Sequence, residues 1–188
     1  YCFVIILFWP SLTRMVGLSL NPQRLGFHGL RGLIHGGGVM LWFFAMSRIP
    51  IAEITALGFT TPIFATLGAT FFLGERFKSF RMIAILVGFL GALMILRPGF
   101  RVIDIGAFAQ LGAAPLFACS YLMAKSATRK ESSAMIVVLL SVSCTCVLAV
   151  PALLVWRDPT LPVLTVLSVA AVRGPAGHCS SARVCQAA

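Results

Sequence analysis

Charge is what this sequence has least of. Only 11% of its 188 residues are Asp, Glu, Lys or Arg, where a soluble domain carries about 25%. Hydrophobic residues make up 59%, and the mean hydropathy is +0.98. A water-soluble globule is excluded, because the uncharged runs are too many and too long to be core helices of one small domain. Acidic residues are scarcer still: five Asp and Glu stand against fifteen Lys and Arg, a formal charge of +10. On a soluble chain that imbalance would point to nucleic acid. Here the basic residues sit between apolar runs, so they orient the chain in a lipid bilayer, and no nucleic-acid partner is expected.

Soluble catalytic machinery is missing as well. There is no G-x-S-x-G elbow, no Walker loop and no H-E-x-x-H, and the spans supply only scattered Ser and Thr where an intramembrane enzyme would need a nucleophile, an acid or a metal ligand. Six cysteines include no C-x-x-C pair and no metal-like Cys/His spacing. An enzyme, a cofactor and a metal are therefore not expected. Cys144 and Cys146, two apart on a helix, point to different faces. His28 and His35 lie near one end of an apolar run and are expected at the membrane interface.

What is present is a series of uncharged stretches: 1 to 13, 32 to 47, 54 to 74, 82 to 96, 105 to 124, 132 to 156 and 159 to 172. A spanning helix needs about 20 mainly apolar residues. The third, fifth and sixth meet that outright. The second and fourth reach it once Arg31, Arg48, Arg81 and Arg97 snorkel to the interfaces. Five complete spans are expected, with a partial one at each end. No alternation of polar and apolar residues supports a barrel, so the fold class is an all-α integral membrane helix bundle.

The connectors carry unequal charge. Arg14, Arg24, Arg31, Arg76, Lys78, Arg81, Lys125, Arg129 and Lys130 fall in one alternating set, against Arg48, Arg97, Arg101 and Arg157 in the other. The richer set belongs on the cytoplasmic side. Ala84, Gly88 and Ala92, four apart, form a small-residue stripe suited to close helix packing. Gly36, Gly37 and Gly38 open the second span, where a packed neighbour offsets their low helix propensity.

Polar and helix-breaking residues inside spans are the candidates for function, since lipid makes them costly. Pro62, preceded by Thr60 and Thr61, frees the carbonyl of Gly58, and Pro115 frees that of Leu111. Discontinuous helices of this kind mark binding sites in several transporter folds. Gln110, Ser120 and Tyr121 are the other polar groups of the fifth stretch. Trp42 and Phe43, in mid-span, could form a stacking wall for an organic substrate. The substrate-cavity candidates are Trp42, Phe43, Thr60, Thr61, Pro62, Gln110 and Tyr121.

Several stretches together resemble a known family: Ile51 to Leu57, Thr61-Pro62-Ile63-Phe64, Leu73-Gly74-Glu75-Arg76, Gly88 to Ile95 and Arg97-Pro98-Gly99. They are similar to the EamA domain of the drug/metabolite transporter superfamily, over about Arg14 to Val172. The resemblance implies a ten-helix carrier of two five-helix inverted repeats. Such a carrier is a multi-pass permease of the cytoplasmic membrane that moves small organic metabolites by alternating access. On that template residues 1–98 hold the end of the first repeat and residues 99–172 the start of the second. Residues 173–188 form a polar tail outside the family pattern, which a one-base shift of reading frame would explain. The alternative reading is a truncated helix-bundle fragment or relic that does not transport. Substrate identity, direction, coupling ion and oligomeric state are not legible.

The charge bias is testable in whole cells. On a cysteine-free background, Cys at position 78 should be shielded from a membrane-impermeant maleimide until the cells are opened, whereas Cys at position 101 should be labelled at once. The reverse pattern would invert the orientation.

Overall fold

The structure is a computed structural model that describes residues 22–75, 79–96, 104–129 and 131–154. The expected partial spans at 1–13 and 159–172, the polar tail at 173–188, and Arg14, Arg76, Lys78, Arg97, Arg101, Lys130 and Arg157 lie outside the described residues. Among the described residues there are six helices and no strand: α1 Pro22–Met46, α2 Ile51–Gly58, α3 Thr61–Leu73, α4 Ser79–Leu96, α5 Ile105–Ala127 and α6 Ser133–Leu154.

Three segments are long and apolar enough to cross a membrane: Ile51–Leu73, Ile105–Ala127 and Met135–Leu154. They correspond to the third, fifth and sixth stretches. In α4 the shorter segment Met82–Gly91 is apolar. The 25 residues of α1 measure about 37 Å at 1.5 Å per residue, enough for a hydrocarbon core of about 30 Å, but its first half carries Arg24, His28 and Arg31. Large apolar side chains face outward, with Phe72 86% and Leu154 81% exposed. In water such surface is an association hazard. In lipid it is the ordinary solvent-facing side of a helix, and the chain is a membrane protein.

Helix ends follow local chemistry. Asp104 caps α5, its Oδ1 accepting the Gly106 N–H at 2.7 Å. Pro50 ends the turn after α1, and Glu53 sits in the first turn of α2, where the helix dipole favours an anion. Gly74 closes α3 at φ 68°, and the next N–H, of Glu75, reaches the Ala69 carbonyl at 3.3 Å. The left-handed conformation explains why a glycine stands before Glu75 and Arg76.

Two compact units divide the chain. One contains residues up to Leu33 and from Ala124 onward. In it Gly32 lies against Ser143, where an added Cβ would overlap the serine Cβ and come within 3.1 Å of its carbonyl carbon. Buried Cys144 contacts the Gly32 carbonyl at 3.7 Å, while Cys146 is exposed, so the two cysteines do face different ways. His28 is 1% exposed and donates from Nε2 to Glu131 Oε2 at 2.8 Å. Arg31, 4% exposed, donates to the Ile136 carbonyl at 3.1 Å rather than snorkelling outward.

His28 and His35 are both buried in protein. Their seven-residue spacing puts them on one face of α1 with Arg31, and that face is the packed one.

The other unit runs from Ile34 to Met123. Its core joins Ala45, Ile49, Ile54, Leu57 and Ala107, with Trp42, Ala109 and Leu111 packed against them. The α2 and α4 helices are in contact, and the Phe59 Cβ lies 3.8 Å from where a Cβ would stand on Gly88. Ala84 is exposed, and nothing lies within 4 Å of a Cβ at Gly91. Gly38 admits the Phe117 ring, 3.0 Å from where its Cβ would stand, and Gly37 faces Leu116.

Three alanine substitutions should separate by neighbour. Gly32→Ala meets backbone and should cost about 1–3 kcal/mol. Gly68→Ala meets only the end of the Leu122 side chain and should be milder. Gly26→Ala enters open space and should be neutral or gain up to about 1 kcal/mol from helix propensity. Unfolding in detergent measures the order, and equal effects at Gly32 and Gly26 would contradict the close approach.

Candidate functional site

The span Ile51–Leu73 is broken in its middle. Pro62 has no N–H for the Gly58 carbonyl, so the helical ladder stops there. Thr60 turns its hydroxyl back to the Leu57 carbonyl at 2.6 Å, and the Phe59 and Thr60 N–H groups bond to Ala56 and Leu57 at 3.2 and 3.0 Å. These bonds satisfy the end of α2 within a tight turn. The ladder resumes with Ile63 and Phe64 donating to the Thr60 carbonyl at 3.0 and 3.3 Å. Pro62 is therefore a first-turn residue of α3, where proline is well tolerated.

Pro115 behaves differently. The α5 helix continues through it, preceded by Ala113 and Ala114, strong helix formers, where Pro62 follows a glycine and a hydroxyl that offers the backbone another partner.

Beside the break lies a cavity of about 230 Å³. Trp42 and Met46 of α1 form one wall, and Gln110 and Phe117 of α5 another. The α2 helix supplies Ile51, Ile54, Thr55 and Gly58, and α3 supplies Thr61. The lining is mainly apolar and carries no Asp, Glu, Lys or Arg. The Thr55 hydroxyl is engaged with the Ile51 carbonyl at 2.8 Å. Gln110 is 3% exposed, and its Oε1 has no hydrogen-bond partner among the described residues. Its Nε2 lies 3.6 Å from the position a Cβ would take on Gly58.

Of the seven candidates, Trp42, Thr61 and Gln110 are brought together in this lining. Thr60 is buried but bonded to its own helix end. Pro62 shapes the break and is exposed. Phe43 is 58% exposed and meets the Trp42 ring at 5.2 Å from outside the lining. Tyr121 is exposed, its ring 6.4 Å from His35, which also meets Phe117 edge-on at 5.1 Å.

Sequence reasoning passed over Thr55, Gly58 as a wall, and Phe117. A signal was available: Ile51, Ile54, Thr55 and Gly58 follow helical i, i+3, i+4, i+7 spacing, and Gln110 and Phe117 are seven apart. The long-range His28–Glu131 pair, 103 residues apart in sequence, carried no such signal.

A polytopic α-helical membrane protein with a small cavity at a broken span is a class in which solute carriers are built. The comparisons narrow it. Residues 1–97 match the EamA-like transporter family, and the chain belongs to that family. A riboflavin transporter of Brucella anthropi is 32% identical over 72% of this chain and 48% of its own length. A riboflavin transporter of Vibrio cholerae is 32% identical over 91% of this chain and 58% of its own. An S-adenosylmethionine uptake transporter of Rickettsia bellii is 30% identical over 90% of this chain and 58% of its own. The chain spans about half the length of these relatives. No solved structure matches it.

A buried amide oxygen without a partner costs stability, so Gln110→Leu should raise the stability of the ligand-free protein by about 1 kcal/mol. Thermal unfolding in detergent reads this directly. A destabilised leucine variant would mean that the amide is matched in the folded protein.

Proposed function

We propose that the protein is a multi-pass secondary transporter of the cytoplasmic membrane that moves small organic metabolites by alternating access. In this reading residues 1–98 belong to the first and residues 99–172 to the second of two inverted five-helix repeats in a ten-helix carrier. Family membership and the transport activities of the relatives support transport in general. The observation that carries the reading to this chain is the cavity at the α2–α3 break, lined by Trp42, Thr61 and Gln110. Irregular backbone at membrane depth is tolerated where it is buried in protein or lines a cavity. Thr60 and Pro62 then act by shaping the break, and Phe43 by bracing Trp42, while Tyr121 approaches the same α5 face through His35 and Phe117.

The test is flux. Full-length protein in right-side-out and inverted vesicles should give saturable movement of a labelled metabolite, and Trp42→Ala should raise KM roughly threefold to tenfold through lost stacking with membrane insertion unchanged. Correctly inserted protein that shows no saturable flux in either vesicle orientation, across flavins, nucleosides, amino acids and polyamines, would overturn the reading.

A further inference from the structure

The chemistry of the cavity is narrower than "small organic metabolite". Its volume is about 230 Å³. That lies below the range of about 300–1,000 Å³ for sites that enclose a whole drug-sized ligand. One ring system fits, with the rest of its molecule outside. Two aromatic side chains from different helices line it, Trp42 and Phe117, and each is held by a neighbour. The Phe43 ring packs on Trp42 at 5.2 Å, and the missing side chain of Gly38 seats Phe117. Pre-positioned aromatic side chains in the lining favour a flat π-system.

The polar groups define the edge of that ring. The Gln110 amide is buried, lines the cavity and has an oxygen with no partner among the described residues. Next to it stands Gly58, whose carbonyl receives no helical N–H from Pro62. A carboxamide pairs in bidentate fashion with a ring edge that sets an N–H donor beside an acceptor, as glutamine does with adenine. Among the lining residues no charged side chain is available to neutralise an ionic ligand, and an uncompensated charge would be expensive there.

We propose that this cavity binds a planar, uncharged, fused nitrogen-heteroaromatic ring, stacked against Trp42 and Phe117 and read along its N–H edge by the Gln110 amide. The proposal deepens the transport reading and rests on it only for calling the ring a substrate. Riboflavin and S-adenosylmethionine, named in the relatives, both contain a fused nitrogen-heteroaromatic ring.

Equilibrium binding to purified full-length protein tests it without requiring flux. The probes are riboflavin and adenosine, their N-methylated counterparts 3-methylriboflavin and N6,N6-dimethyladenosine, and homoserine as a solute with no ring. At least one parent ring should bind, with its methylated counterpart about tenfold weaker because the donor is gone. Gln110→Leu should bind the two forms alike. The comparison of methylated and parent ligands on the unmodified protein stands even if the variant folds poorly. Binding of neither ring, equal binding of both forms, or preference for homoserine overturns the proposal. Saturable homoserine flux without ring binding would overturn it while sustaining transport, and ring binding without flux of any solute would do the reverse.

Discussion

Hydrocarbon offers no hydrogen bonds, so every backbone N–H and C=O within a span must find a partner in the protein. At Gly58 to Pro62 an unbroken helix cannot meet that requirement, because the imide nitrogen has nothing to donate. The chain answers with a turn in which the Thr60 hydroxyl and two backbone N–H groups close the end of α2, and a new helix starts on Thr60. The break leaves Gly58 and Thr61 facing a space that a continuous helix would have presented as an ordinary packed surface. Around that space Trp42, Gln110 and Phe117 converge.

Close approach is the second constraint. Glycines of α1 stand where side chains from later helices need room: Ser143 lies over Gly32 within one unit, and Phe117 over Gly38 within the other. Tight contact supplies the van der Waals packing that replaces hydrophobic driving force between helices in a membrane. It also lets α1 bury ionisable groups. His28 with Glu131, and Arg31 with the Ile136 carbonyl, have partners that reduce the cost of desolvation, which would be larger for either group left alone.

In the proposed reading the cavity is a binding site kept at a cost to stability. Stability alone would favour an apolar residue at position 110, since a buried amide oxygen with no partner among the described residues is a standing cost. Keeping it makes sense where a ligand completes the hydrogen bond. One amide, two hydroxyls and one interrupted ladder are set in an otherwise apolar lining.

Composition alone established a membrane-embedded all-α chain, because the length of an uncharged run against the thickness of hydrocarbon is a one-dimensional quantity. Two candidate breaks, at Pro62 and Pro115, were legible for the same reason, since a proline acts on a carbonyl four residues away, but α5 continues through Pro115. So were the opposite faces of Cys144 and Cys146. Which polar residues meet was decided only in three dimensions. Thr60 and Thr61 are adjacent in sequence, yet one is spent on its own helix end and the other lines the cavity. The burial of His28 and His35 was not legible because it depends on what packs against a face, and Glu131 and Phe117, which contact them, lie 103 and 82 residues away. Periodicity tells which side chains share a face; the identity of the neighbour across it is a tertiary fact.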